Sequence, residues 1–416
     1  MDKKIIIIAE SIDKNDSSCS KCNVALIENL KKSGFDIKVY HFTRQDIKLK
    51  DIDCYNIKEI KWSLNYIFSR TQRIIQRNFN INLQPILEGI FGFSFTFFND
   101  ANSMKLVINK IKNLNPDLII TLSKGTSFRP HYAMLSFPEL YSKWIANIHD
   151  PYPFHLNPRP FNWVESGYKK KEFFFREMSK HAGHSSFPSL LLKEWMGSYF
   201  PNFLKSGIII PHQNSKHIIQ NTSLPSYFDN TKFNLLHAGN LLAQRYPQGL
   251  LEGFRIFLEN NPTAKSEAKL FLLGNAVDHI QMLEDYRKMI PQIYIHNGNV
   301  PFDEVYLLQK KASANIILEA KSEISPFLPG KFPHCVEANK LILSLAPYYS
   351  ETRRLLGDDY EYWSEVDDVK KIAGLIEKLY QLWKQNPGNL LLNRKDLEEY
   401  LSVSYLKKVI NDLKIN

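Results

Sequence analysis

Short apolar runs alternate with longer amphipathic ones along the chain, the pattern expected when parallel strands are crossed by helices. In the first half, Ile5 to Ala9, Asp36 to His41, Leu118 to Leu122, Lys143 to Ile148 and Ile208 to Ile210 predict strands. Val24 to Lys32 and Ser189 to Phe200 carry helical spacing, stopped by Ser33-Gly34 and by Pro201. After a polar stretch, Gln213 to Lys232, the alternation begins again. Strands are predicted over Phe233 to His237, Lys269 to Leu273, Gln292 to His296, Ala314 to Leu318 and Leu341 to Leu345. Helices are predicted over Gln248 to Asn260, Asp278 to Met289, Asp303 to Lys311 and Phe332 to Lys340, with Val366 to Lys384 and Arg394 to Leu413 closing the chain. The reading is α/β with two doubly wound units, 1–213 and 232–397, the last helix, about 398–416, packing back on the first. A linker near Gln213 to Phe228 would serve as the hinge between them.

Length agrees with this division, since 416 residues exceed what one core usually serves. No apolar run approaches the roughly 18 to 20 residues of a spanning helix. Ile5 to Ala9 is too short, and lacks the cleavage site, for an export signal. Four cysteines, at 19, 22, 54 and 335, give one Cys-x-x-Cys, which reads as a redox pair, half a zinc site or ordinary thiols; without a second pair or a His-x-His, ordinary thiols are favoured. Few cysteines fit a reducing cytoplasm.

The net charge of +10 calls for an acidic partner. Lys58, Lys61, Arg70, Arg73 and Arg77 alternate at helical spacing with Ile60, Trp62, Tyr66, Ile67, Phe68, Ile74 and Ile75, and an aromatic run follows from Phe91 to Phe98. Such a segment either lies on an anionic membrane, placing the protein peripherally on the inner face of the plasma membrane, or packs into its own domain. No zinc-finger, RRM or helix-turn-helix pattern supports nucleic acid.

Candidate chemistry concentrates at strand ends. Ser325-Pro326-Phe327-Leu328-Pro329-Gly330-Lys331 joins a predicted strand to a predicted helix. It reads as a phosphate cradle, with Gly330 allowing close approach and Lys331 supplying a cation, or as a Pro-rich connection with a surface lysine. Gly239-Asn240, Gly274-Asn275 and Gly298-Asn299 each follow a strand, which suits either three backbone turns aimed at one ligand or three tight turns.

These residues together resemble glycosyltransferase family 4, nucleotide-sugar enzymes of the GT-B fold, in which two Rossmann-like domains face across a cleft. His237-Ala238-Gly239-Asn240, with Arg245 six residues after Gly239, looks like the family's first donor loop. Leu272-Leu273-Gly274 looks like its next strand end, and Asn297-Gly298-Asn299-Val300 like the segment that reads the donor's base. The Ser325 to Lys331 loop with Lys340-Leu341-Ile342-Leu343 looks like the part that holds the nucleotide. In the first half, Pro116 to Thr121, Ile148-His149-Asp150-Pro151, Ser185 to Trp195 and Ile209-Ile210-Pro211-His212 are similar to the family's strands and helix up to the linker.

The resemblance implies a retaining, metal-independent transfer from a UDP- or GDP-sugar to a hydroxyl of a glycan or lipid-linked acceptor, in polysaccharide or glycoconjugate assembly, with no permanently bound cofactor. It makes Arg245 and Lys331 the phosphate cations and lets His149 line the donor sugar. Gly239, Asn240, Gly274, Asn299, Val300, Ser325, Phe327, Leu328, Pro329 and Gly330 become donor contacts. Asp150, His155 and Arg159 fall on the acceptor side, with Tyr152, Phe154, Phe161 and Trp163 as stacking candidates. The family's two glutamates are absent: His334 stands at the second position, six before Lys340, and Pro326 at the first. Glu337, about 60° further round the helix, takes His334's place in reaching the ribose. The glycine-rich N-terminal loop is replaced by Ser18-Cys19-Ser20-Lys21-Cys22. These departures keep two alternatives open: a GT-B protein that binds nucleotide sugars without turnover, and a UDP-sugar epimerase of the same fold.

Overall fold

The computed structural model describes residues 3–161, 163–214, 223–386 and 390–414. The middle of the expected linker, 215–222, lies outside the described residues. The described chain divides into two compact units. The first holds residues up to 157, those from 161 to 214 and those from 401 onward; the second holds 158–160 and those from 223 to 400.

In the first unit seven parallel strands, β1 (Lys4–Ala9), β2 (Asp36–His41), β3 (Asp53–Asn56), β4 (Leu118–Leu122), β5 (Trp144–Asn147), β6 (His184–Phe187) and β7 (Gly207–Ile209), stand in the order β3-β2-β1-β4-β5-β6-β7. β1 and β4 are apolar apart from Lys4 and Thr121 because helices cover both sheet faces. On one face sits α1 (Ser18–Lys32), which begins earlier than its apolar spacing suggested because the Ser17 side chain caps it, accepting from Ser20 N. On the other lies an aromatic core around Phe128, Trp144 and Phe175, all fully buried.

The second unit repeats the plan with β8 (Phe233–Ala238), β9 (Ala268–Leu273), β10 (Ile293–His296), β11 (Ala314–Leu318), β13 (Leu341–Leu345) and β15 (Trp363–Ser364), ordered β10-β9-β8-β11-β13-β15 and parallel wherever paired. Two short strands, β12 (Ile324–Ser325) and β14 (Tyr349–Ser350), pair beside this sheet. The expected doubly wound α/β class is therefore observed twice. In each sheet the order reverses at one point, between β1 and β4 and between β8 and β11. Loops leaving adjacent strands diverge there, so the strand ends open towards ligands.

Two predicted helices differ. Phe332 to Lys340 ends at Glu337, and Asn339 adopts a left-handed φ of 51° before β13. Arg394 to Leu413 is two helices, Lys395–Tyr400 and Val403–Asn411, because Ser402 takes extended geometry and caps the second. They belong to different units. Leu406 and Ile410 of the second are fully buried in the core of the first unit. Each side chain contributes about 1.5 to 3 kcal/mol of burial.

Candidate active site

At the end of β8 the backbone turns at Gly239, with φ at 150°, and at the end of β9 it turns at Gly274, with φ at 136°. A Cβ on Gly274 would lie 2.6 Å from the Gly239 carbonyl oxygen, and one on Gly239 would lie 2.8 Å from Lys331 Nζ. Glycine is what lets these two strand ends and the lysine crowd together. The loops are tied by side chains: Asn275 N donates to Asn240 Oδ1 at 3.1 Å, and Ala276 N donates to Asn297 Oδ1 at 3.0 Å. The amide of Asn240 is thus occupied in holding its neighbour. Asn299 is exposed, while Val300 packs against the cluster around Phe228 and Leu236.

Lys331 reaches from beyond β11 to the end of β8. Its Nζ lies 3.1 Å from His237 Nε2 and 3.3 Å from Nδ1. His237 is fully buried, and burial together with Lys331 and Arg245 holds its pKa well below the usual value, so the ring is neutral. Burial, with Arg245 adding to it, brings the Lys331 ammonium down to about 7. Arg245 donates from Nη1 to the Asn240 carbonyl at 2.9 Å, and its buried Nε has no hydrogen-bond partner.

Glu319, immediately after β11, faces the same cations. It is 96% buried by its 4% exposure, and burial raises its pKa. Ser325 Oγ donates to its Oε2, and the Thr352 hydroxyl stands beside the carboxylate without completing a hydrogen bond to Oε1. Two cations, one carboxylate and a neutral histidine therefore meet at the switch point between β8 and β11, with one cation donor and one carboxylate oxygen unspent. Such an arrangement can receive an anion and a hydroxyl.

The rest of the Ser325 to Lys331 loop is scaffold to this cluster. Leu328 is buried, Phe327 and Pro329 are half-buried, Gly330 is exposed, and Phe332 N closes the turn on the Pro329 carbonyl at 2.8 Å. His334 meets the Phe302 ring edge-on at 4.9 Å. Glu337, expected to replace it towards a ribose, accepts from Tyr306 Oη at 2.6 Å. That bond points the carboxylate at the helix Phe302–Lys311.

In the first unit, β5 ends at Asn147 and His149 follows, 8% exposed. Asn23 of α1 donates to the carbonyls of Ser123, at 3.0 Å, and Ser11, at 3.4 Å, which leaves its Oδ1 to accept from His149 Nε2 at 3.1 Å. Asn147 Nδ2 lies 3.2 Å from the same nitrogen. Burial and then the neighbouring His212, 6.1 Å away ring to ring, push the His149 pKa down to about 3. His149 is a neutral, anchored ring. Burial pushes Asp150 up to about 6.

His155 is turned to Glu172, at 2.8 Å, and Arg159 is exposed in the short piece that groups with the second unit. Tyr152 is 3% exposed among Phe128, Phe174 and Phe175, so it is core and unavailable for stacking. Phe154 meets Phe161 and Trp163, and Trp163 is exposed. Cys19 and Cys22 are free thiols whose pKa values burial raises to about 11 and about 12. Neither is an activated nucleophile. Where a glycine-rich loop was missing, Glu10 after β1 accepts from Lys124 N at 3.0 Å and also from Ser127 and Arg129, closing the β1 and β4 loops together.

Glu319, Asn23 and Glu10 were not singled out from sequence, and His237 entered only as the strand end leading into Gly239, with no role of its own. Three of them carried a signal: His237 is a polar residue inside an apolar strand, and Glu319 and Glu10 are the first charges after one.

Two doubly wound parallel-sheet units in this order define the GT-B fold. No protein-family profile matches the sequence, and no curated protein sequence matches it. Solved structures do. An α,α-trehalose 6-phosphate synthase from Burkholderia multivorans aligns at TM-score 0.62 with 9% identity, covering 99% of this chain and 98% of that one. A glycosyltransferase from Rickettsia africae aligns at 0.57 with 13% identity, covering 99% and 100%. An E. coli trehalose-6-phosphate protein bound with UDP-2-fluoro glucose aligns at 0.59 with 10% identity, covering 98% of each chain. At these identities the likeness concerns the fold.

Proposed function

We propose that the protein is a glycosyltransferase that moves a sugar from a nucleotide-sugar donor to a hydroxyl of a glycan or lipid-linked acceptor. The observation that carries this reading is the Lys331, Arg245, His237 and Glu319 cluster at the β8/β11 switch point. The fold is shared with glycosyltransferases, one of them bound with a UDP-sugar analogue, which supports a nucleotide-sugar donor. Among the described residues no group of three or more His, Cys, Asp or Glu is placed to hold a metal ion.

In the reaction the bond from the anomeric carbon to the diphosphate oxygen breaks, and a bond to the acceptor oxygen forms. The acceptor proton leaves with the phosphate when the configuration is retained. Negative charge grows on the diphosphate, and Lys331 and Arg245 stabilise it from fixed positions. His237 is the neutral acceptor that holds the Lys331 amine over Gly239. Glu319 keeps both cations in place between turnovers and offers Oε1 to a donor hydroxyl. His149, neutral across the physiological range, serves a sugar hydroxyl as a hydrogen-bond partner rather than as a proton carrier.

The test is release of nucleoside diphosphate from UDP- and GDP-sugars with and without a panel of glycan acceptors. Acceptor-dependent release, abolished by Lys331→Ala and by Arg245→Ala in folded protein, is the expected result. His334 and Pro326, where the family has glutamates, favour the second reading, a nucleotide-sugar-binding protein without turnover. Tight donor binding with no release under any acceptor establishes that reading instead, and wild-type rates in either variant remove the phosphate assignment.

A further inference from the structure

The helices α2 (Leu64–Phe79), α3 (Gln84–Phe91) and α4 (Phe95–Ile111) follow one another in the first unit. α4 is an ordinary packed helix, with Phe97, Met104 and Ile108 in the core. α2 is turned the other way. At about 100° per residue, Leu64, Ile67, Phe68, Ile74, Ile75 and Phe79 share one side, and Ser69 lies nearly opposite. Ser69 is the buried one, at 2% exposure, while Leu64 and Phe79 stand about 70% exposed, at 72% and 69%. A water-soluble surface helix presents the reverse arrangement.

The apolar surface continues. Trp62, just before α2, is 82% exposed, and α3 buries none of its residues while exposing Ile86, Ile90 and Phe91. Phe95 bridges the two helices, 5.1 Å from Phe68 and 5.4 Å from Phe91. This is one contiguous patch rather than scattered side chains.

Its charge indicates what covers it. The carboxylates of the segment are held by cations within the chain: Glu59 pairs with Arg70 at 3.0 Å, and Glu88 pairs at 2.9 Å with Lys171, which it shares with Glu165. Lys58, Lys61, Arg73 and Arg77 are in no ion pair among the described residues. An apolar stripe edged by unneutralised cations matches an anionic lipid surface, where rings and aliphatic chains sit below the headgroups and the cations sit among them. A second copy of the same patch would oppose like charges.

We propose that α2 and α3 form a docking platform for an anionic lipid bilayer. Among the described residues no helix is long and apolar enough to cross a membrane, so attachment is to the surface. The inference stands on this patch alone and does not depend on the transferase reading.

The test is co-sedimentation of the full chain with phosphatidylcholine vesicles and with vesicles holding roughly 30 mol % phosphatidylglycerol. The wild type is expected to sediment with the anionic vesicles at low salt and to be released as salt rises. Each cation removed lowers partitioning about fivefold, so Lys61→Gln with Arg77→Gln lowers it about 25-fold. Ile86→Ser with Ile90→Ser lowers it by at least about tenfold, and because both sites are exposed the melting temperature stays unchanged. Brominated lipid should quench Trp62, measured against Trp62→Phe.

Failure of the wild type to sediment at low salt overturns the proposal. So does wild-type binding by both double variants, or sedimentation without Trp62 quenching. A wild type that ignores vesicles and is a dimer, dissociated by the isoleucine variant, would assign the patch to a second copy instead.

Discussion

Lys331 ties donor binding to pH. Burial and Arg245 bring its pKa down to about 7, so it is half neutral near neutrality. Only the ammonium complements a diphosphate, and a bound diphosphate raises its pKa. The sign follows: above about pH 7 binding takes up a proton and affinity falls as pH rises. With a free-site pKa of about 7, the dissociation constant grows by the factor one plus ten to the power of pH minus seven, which is about tenfold between pH 6 and pH 8, or ~1.4 kcal/mol. The assay is titration calorimetry with a UDP-sugar, whose capped diphosphate does not itself titrate here, in two buffers of different ionisation enthalpy. Uptake should be about 0.9 proton at pH 8 and about 0.1 at pH 6. Lys331→Met should bind weakly and without pH dependence. A flat wild-type profile with no proton uptake at pH 8 would refute the electrostatic account of this cluster. The same group affects stability: its lowered folded pKa leaves the unfolded chain holding more protons between about 7 and 10.4, so its contribution makes the protein more stable as pH rises through that window.

Glu319→Gln removes the carboxylate that partly supports the Lys331 charge. The midpoint of the affinity profile should then move to lower pH, and an unmoved midpoint would mean the two groups are not electrostatically coupled. Gly274→Ala forces a side chain into φ 136° and to within 2.6 Å of the Gly239 carbonyl. Strain of this kind costs about 1 to 3 kcal/mol, read as a lowered denaturation midpoint at unchanged denaturant slope. A wild-type midpoint would show that the strand-end loops move apart freely.

The strands most legible in the sequence were those buried on both faces, such as Leu118–Leu122, Ala314–Leu318 and Leu341–Leu345, short runs that are apolar but for one polar residue each. The strands β3 and β6 were not marked out by periodicity, since Asp53–Asn56 and His184–Phe187 are short and half polar. Likewise Lys331 was visible because it ends a Pro- and Gly-containing loop between a strand and a helix, and Arg245 because of its place in the resemblance to a donor loop. The roles of His237 and Glu319 were not: a histidine inside a strand and a glutamate after one acquire meaning only when β8 and β11, distant in sequence, become neighbours.

The amino-acid sequence by itself determined that there are two α/β units, where most strands and loops fall and which loops carry cations, because burial periodicity and turn chemistry are local. Tertiary structure decided which side of each element meets what. It turned Glu337 to Tyr306, Tyr152 into the core and the apolar stripe of α2 out to solvent. It also placed a lysine, an arginine, a histidine and a glutamate against one another. A side chain's charge state and availability depend on neighbours brought from far along the chain, and no local pattern encodes them.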